Sequence, residues 1–335
     1  MFLSSGMYAS RSKTYINSMI RQDTLLANML DLYIGSSLGT CNFKYGNIPF
    51  INRRYSMERK VKRKVKGFRT QDGAGVSLVR VLGHNTVEEY DPILMLDSFD
   101  STDPNDYIAG FPMHPHRGIE TISYVYRGRM THKDSLGNED TIGDGEVQWM
   151  TAGSGILHEE SLPASERMLG VQLWLNLPAK NKMTAPAYHS IKNGDIEEIQ
   201  LENGKLRLLV GEYKGRKGFT SRYVPLNYYD IHIDSNSSIT IDTDRERSVM
   251  VFALLGDAYI GEEHIEEKTA VKLTEGEQVV IKTKDSNAQV LFVSSLALKE
   301  PISWGGPIVM NTKEELQQAF ADLRKGTFLQ QEISY

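Results

Sequence analysis

The sequence predicts an all-β protein of two antiparallel barrel or sandwich domains, and three observations carry that reading. Short runs rich in β-branched and aromatic residues recur from Val76 to Ser295, bounded by Gly, Pro, Asn and Asp clusters. They fall into two sets on either side of a polar stretch near 180–197. No helical pattern stands between consecutive runs at the spacing that a parallel βαβ sheet requires. A chain of 335 residues also suits about two domains.

Residues 1–56 precede the strand pattern and do not match it. They are rich in Ser, Asn and Tyr, with one short helix-like stretch over 24–33, and carry six basic and two acidic residues, net +4 of a total of −5. They read as a disordered extension or a leader. Organelle import is the weaker version, because two aspartates and the length count against a targeting peptide. A start at Met57, followed directly by a strand-like segment, is the more natural one. The basic run from Arg59 to Lys66 resembles a nuclear address, but Val61 and Val65 share a face and the lysines suit a solvated edge strand, where charge discourages aggregation.

The first set of strands is expected at 76–82, 93–98, 119–126, 147–150 and 171–177, the last alternating cleanly up to Pro178, which cannot donate to a ladder. The second set is expected at 206–210, 230–233, 239–242, 249–255, 270–273, 278–282 and 290–295. A helix near 312–325 follows. Asn311 or Thr312 caps it, Glu315 completes a capping box, Leu316, Phe320 and Leu323 form its apolar stripe, and Gly326 ends it.

Composition removes several classes. A single cysteine, Cys41, excludes an intramolecular disulfide and any CxxC site. Mild acidity argues against a general nucleic-acid binder, which needs basic excess. No apolar run approaches the roughly 18 residues of a membrane span. A cytoplasmic protein is expected, nuclear as well if the cell has a nucleus. Its likeliest metal ligands are its histidines and carboxylates.

The informative stretch is His114-Pro115-His116. Two histidines two apart on a strand face the same side about 7 Å apart, so both imidazoles can reach one ion. His158 and Glu160 repeat the spacing 42 residues after His116, enough for a hairpin that returns a neighbouring strand. Three imidazoles and one carboxylate suit iron, manganese, cobalt, nickel, copper or zinc, without choosing among them. Glu120 shares the parity of His114 and His116, so periodicity also permits it as fourth ligand. Glu159 has the opposite parity. His84, His132, His189, His232 and His264 stand in turns or polar surroundings and read as solvated or structural residues.

The string from Gly110 to Tyr124, the segment from Gln148 to Glu160, the run from Gln172 to Leu177 and the string from Gly306 to Thr312 resemble the signature of the pirin family of the cupin superfamily. The resemblance spans roughly 57–328. It implies a bicupin of two packed β-barrels, with a metal-binding domain over 57–180 and a domain without metal ligands over 181–335. It places the ligands on His114, His116, His158 and Glu160, prefers Glu160 to Glu120, and implies Fe(II) as the usual metal. It further implies quercetin 2,3-dioxygenase activity, in which a flavonol ring opens with O2 and loses carbon monoxide. Glu160 is the expected acceptor of the substrate hydroxyl proton. The alternative is a non-enzymatic, iron-dependent redox sensor that binds a transcription factor or a metabolic enzyme, and a third reading keeps the metal for stability alone. A monomer is expected.

Overall fold

A computed structural model describes residues 56–330; the extension over 1–55, with its helix-like stretch and Cys41, lies outside the described residues. In chain order the strands are β1 (Val61–Lys66), β2 (Phe68–Asp72), β3 (Val76–Leu82), then the one-turn helix α1 (Val87–Tyr90), β4 (Ile93–Ser101), β5 (Phe111–His116), β6 (Ile119–Arg127), β7 (Met130–Asp134), β8 (Glu139–Ile142), β9 (Glu146–Thr151), β10 (Ile156–Ser161), β11 (Met168–Asn176) and β12 (Ala187–Ile191). A seven-stranded sheet of order β12-β9-β6-β11-β4-β3-β2 and a four-stranded sheet of order β5-β10-β7-β8 make the first barrel.

The second barrel repeats this plan. It uses β13 (Glu197–Leu201), β14 (Gly204–Val210), the ribbon β15 (Glu212–Tyr213) and β16 (Arg216–Lys217), β17 (Leu226–Ile233), β18 (Ser238–Asp242), β19 (Ser248–Leu255), β20 (Ala258–Ile260), β21 (Glu263–Ile265), β22 (Thr269–Leu273), β23 (Gln278–Lys282) and β24 (Ala288–Ser295). Its sheets are β1-β22-β19-β24-β17-β14-β13 and β18-β23-β20-β21. The bicupin fold is therefore present, and every pairing between its strands is antiparallel.

Strand alternation shows why the barrels pack. In β11, Leu169, Val171, Leu173 and Leu175 join a core shared with Met250, Phe252, Leu254, Leu291 and Val293 of the second barrel. The alternate residues Met168 and Trp174 belong to clusters of the first barrel. The large sheets are thus buried on both faces, which favours continuous apolar runs such as β19 and β24.

Two segments depart from the expected domain limits. β1 pairs with β22, so the basic run is an edge strand, but of the second barrel's sheet. Lys64 and Lys66 pair there with Glu263 and Glu266. β12 pairs with β9 and belongs to the first barrel. Its sequence Ala-Tyr-His-Ser-Ile is only partly buried, so it lacks the apolar alternation that marks the other strands.

After β24 the chain returns to the first barrel through β25 (Ser303–Gly305), β26 (Ile308–Met310) and the helix α2 (Lys313–Lys325). Thr312 is its cap, exchanging hydrogen bonds with Glu315, and Gly326 closes it at φ 71°. Buried Arg117 clasps this segment: it donates to Asp322 (2.7 Å), to the Phe328 carbonyl (2.9 Å) and to the Ser154 carbonyl (2.7 Å). Buried Lys182 bridges the Gly118 and Val309 carbonyls. Among the described residues no helix is long and apolar enough to cross a membrane.

Candidate metal centre

β5 and β10 are neighbours, with His158 opposite His114 and Ile156 opposite His116, so the two histidine-bearing strands lie side by side as their spacing predicts. One ring nitrogen from each of His114, His116 and His158 lies within 4.8 Å of the other two. The rings contact each other with centroids 4.3–5.0 Å apart.

The hydrogen bonds behind His114 and His116 settle which of their nitrogens faces the group. His114 donates from Nδ1 to the Pro112 carbonyl (2.8 Å) and His116 from Nδ1 to the Pro307 carbonyl (2.9 Å). Their Nε2 atoms therefore carry lone pairs, yet lie 3.1 Å apart. His158 Nδ1 lies 3.3 Å from His132 Nδ1, and its buried Nε2 has no partner. Burial, then the neighbouring His114, pushes His116 down to about 3. His158 is held well below its ordinary value by burial and by the three surrounding histidines. Neutral imidazoles are the ligand form. Two lone pairs in contact and a buried ring nitrogen without a partner are unfavourable by themselves, and a cation between them offers a remedy for both. The residues fit a first-row metal, and nitrogen donors alone do not select which.

Glu160, also buried, lies outside this histidine group. Its carboxylate accepts from Gln148 Nε2 (2.5 Å) and from Gln172 Nε2 (2.8 and 3.1 Å). A register shift between His158 and Glu160 sets the strand end opposite Phe111. Glu120 lies on the other face of its sheet: its neighbours of equal parity, Ile122 and Tyr124, enter the core between the barrels. Its Oε1 accepts from Trp149 Nε1 (3.0 Å) and Thr151 Oγ1 (2.7 Å). Parity fails because β5 and β6 belong to different sheets, with Gly118 at φ 80° turning the chain between them.

Of the two readings open for His132, solvated or structural, the structure supports the structural one. It is fully buried, bonds through Nε2 to Asp134 (2.9 Å), and stacks on Tyr188 at 4.2 Å. Burial alone would raise the Asp134 carboxyl, but hydrogen bonds from His132, Asn138 and the Leu136 amide hold it below its ordinary value. The overlooked signal is a third pair at strand spacing, His132 and Asp134. His84 also has a place, stacked on Trp304 at 3.9 Å. His189 stacks on Phe219, His232 bonds Asp230, and exposed His264 pairs with Asp257.

A cleft of about 530 Å³ opens beside the histidines. Met95, Phe111, Trp174 and Trp304 give it apolar walls, and His114, His116 and Gln172 lie among its polar lining residues. Trp174 meets His116 edge-on at 4.9 Å. On one side Arg80 is locked against Asp97 (2.9 and 2.7 Å) and Asp72 (2.7 Å).

Fold and site together define a bicupin whose first barrel holds a histidine cluster suited to a metal ion. The chain belongs to the pirin family: the Pirin profile matches residues 75–175 and the Pirin C-terminal cupin domain profile residues 228–329. It is similar to a pirin-like protein of Caulobacter vibrioides, 38% identical over 276 residues, spanning 81% of this chain and 99% of that protein. It is similar to the pirin of Homo sapiens, 34% identical over 273 residues, 79% of this chain and 92% of the relative. Among solved structures, a quercetin 2,3-dioxygenase from Acinetobacter baumannii matches with a TM-score of 0.75 at 33% identity, over 81% of this chain and 98% of that one.

Proposed function

We propose that the protein is an iron-dependent dioxygenase of flavonol-like substrates, with His114, His116, His158 and Glu160 as the metal ligands. The observation that carries this reading is the convergence of three imidazole nitrogens beside an aromatic-walled cleft of about 530 Å³. That volume suits one planar polycyclic phenol, and rings such as Trp174 and Phe111 offer it stacking and edge contacts. The name of the A. baumannii relative supports the same substrate class.

When bound, the metal supplies Lewis acidity and one-electron redox chemistry. The remaining tasks fall to the chain. The apolar walls orient the phenol and exclude water around it. Gln172 lines the cleft and donates to Glu160, so it links the substrate space to the buried carboxylate. Glu160 accepts the proton of the substrate's 3-hydroxyl, leaving an oxyanion aimed at the histidine group. The overall change converts one flavonol and one O2 into one ring-opened ester and one carbon monoxide.

Iron-loaded protein mixed with a flavonol under air tests this. The flavonol absorption band should decay with matching oxygen uptake and carbon monoxide release, and His116→Ala should abolish the decay. A band that persists with loaded protein, or a His116→Ala variant that turns over at the parent rate, overturns the reading.

A further inference from the structure

The third imidazole differs from the other two in what stands behind it. His114 and His116 rest on backbone carbonyls, which are neutral. His158 rests on another side chain, and that side chain rests on a carboxylate. The reading of His114, His116 and His158 as metal ligands does not use His132 or Asp134, although both are buried.

We propose that His132 and Asp134 are positioning residues of the metal centre: hydrogen bonds directed by the Asp134 carboxylate fix the proton of His158 on Nδ1 and hold its Nε2 lone pair in the group formed with His114 and His116. The direction of each bond follows from the acceptors. Asp134 Oδ1 accepts from the Leu136 amide (2.9 Å) and the Asn138 amide (3.1 Å), and Oδ2 accepts from Asn138 Nδ2 (2.9 Å). Tied to three donors, the carboxylate is a fixed acceptor, so His132 Nε2 is the donor across 2.9 Å. His132 Nδ1 is then a bare acceptor, and the proton on the line to His158 belongs to His158 Nδ1. The His132 ring lies flat against Tyr188, at 4.2 Å and 13°, and the Asp134 bond selects the orientation that presents Nδ1 to His158.

The consequence is chemical as well as geometric. An acceptor behind a ligand histidine fixes its tautomer and raises its basicity, here through a His132 ring that the Asp134 carboxylate orients, and loss of such a partner costs roughly 10- to 100-fold in metal affinity. His158 is thus the ligand that the chain tunes through a side-chain relay.

The inference rests on the histidine group being the metal site, and the test separates the two. Metal-stripped full-length protein is titrated with Co(II), and its visible bands are followed for the parent, His132→Phe and His132→Gln. Phenylalanine keeps a flat ring against Tyr188 but offers His158 no acceptor. Glutamine accepts from His158 and donates to Asp134. The expected result is a His132→Phe affinity lower by roughly 10- to 100-fold, with most of the loss recovered in His132→Gln. Equal Co(II) affinity in the parent and His132→Phe overturns the relay while leaving the metal site standing. A parent that binds no Co(II) removes the metal site, and the relay falls with it. Independently of any variant, nitrogen NMR of the Zn(II)-loaded parent should show His132 protonated on Nε2 alone and His158 on Nδ1. A proton on His132 Nδ1 overturns the relay.

Discussion

The two barrels share a frame and differ in what lines it. In each, a four-stranded sheet faces a seven-stranded one, and sheet order matches β5 with β18, β10 with β23 and β7 with β20. In the first barrel these strands carry His114 and His116, His158 and Glu160, and His132 and Asp134. In the second they turn Ile239 and Ile241, Val279 and Ile281, and Ala258 and Ile260 into one aliphatic core. Aliphatic lining stabilises by simple transfer, roughly 1.5–3 kcal/mol for each fully buried large side chain. Polar lining returns less, because each buried group must find a partner. The first barrel leaves several without one: Glu120 Oε2, Gln148 Oε1, Ser154 Oγ, Tyr188 OH and His158 Nε2, the last in the group where the facing nitrogens of His114 and His116 also meet. One fold thus supports an aliphatic lining in one barrel and, in the other, a polar lining whose histidine group suits a cation. Such local violations mark functional positions.

The comparison breaks most sharply if β10 is given the character of β23. His158→Leu should reduce bound metal from about one equivalent to almost none by elemental analysis. The metal-free protein should lose no more than about 1–3 kcal/mol in urea denaturation, since the acceptor left bare on His132 Nδ1 is partly offset by removal of a buried nitrogen without a partner. Retained metal in this variant would free His158 from the site. The converse change acts on the second barrel. Ile281→Ala should destabilise the fold by about 2–5 kcal/mol through lost transfer energy and a cavity, while Co(II) binding by the folded protein stays at the parent value. Weakened binding in that variant would mean that the second barrel contributes to the site as well as to the core.

The histidine pair and the His158–Glu160 pair were legible because rare donor types at strand spacing stand out from any background. The third pair has the same spacing, yet β7 reads as a polar stretch and not as one of the expected strands. Its inward residues His132 and Asp134 are as polar as its outward Thr131 and Lys133, so no alternation appears. Glu120 shows the opposite error: parity carried through Gly118 assigns it the wrong face. The helix α2 was readable from Thr312, Glu315 and Gly326, since capping is local chemistry. The carbonyl of Pro307 that orients His116 lies 191 residues away, and no local pattern announces such a contact. β1 and β12 cross the domain limits for a related reason, because pairing partners are chosen by the folded sheet and not by proximity in the chain.

The smallest effect separates the two buried glutamates of the first barrel. Glu120 keeps one oxygen on Trp149 and Thr151, while its Oε2 has no partner. Burial raises its carboxyl above the ordinary value of about 4.5, against the pull of those two bonds. Between the unfolded and the raised folded value, the folded chain holds a proton that the unfolded chain has released. The stability contributed by the neutral carboxyl is therefore complete below about pH 4.5 and is lost as pH rises through the folded value. Glutamine keeps the carbonyl acceptor and has no proton to lose. Glu120→Gln should therefore be more stable than the parent near neutral pH, and the gain should shrink towards zero below the ordinary carboxyl value of about 4.5. Denaturation at both pH values measures it, and elemental analysis should find the bound metal unchanged. A pH-independent gain would deny Glu120 a raised value, and lost metal would bring Glu120 back into the ligand set in place of Glu160.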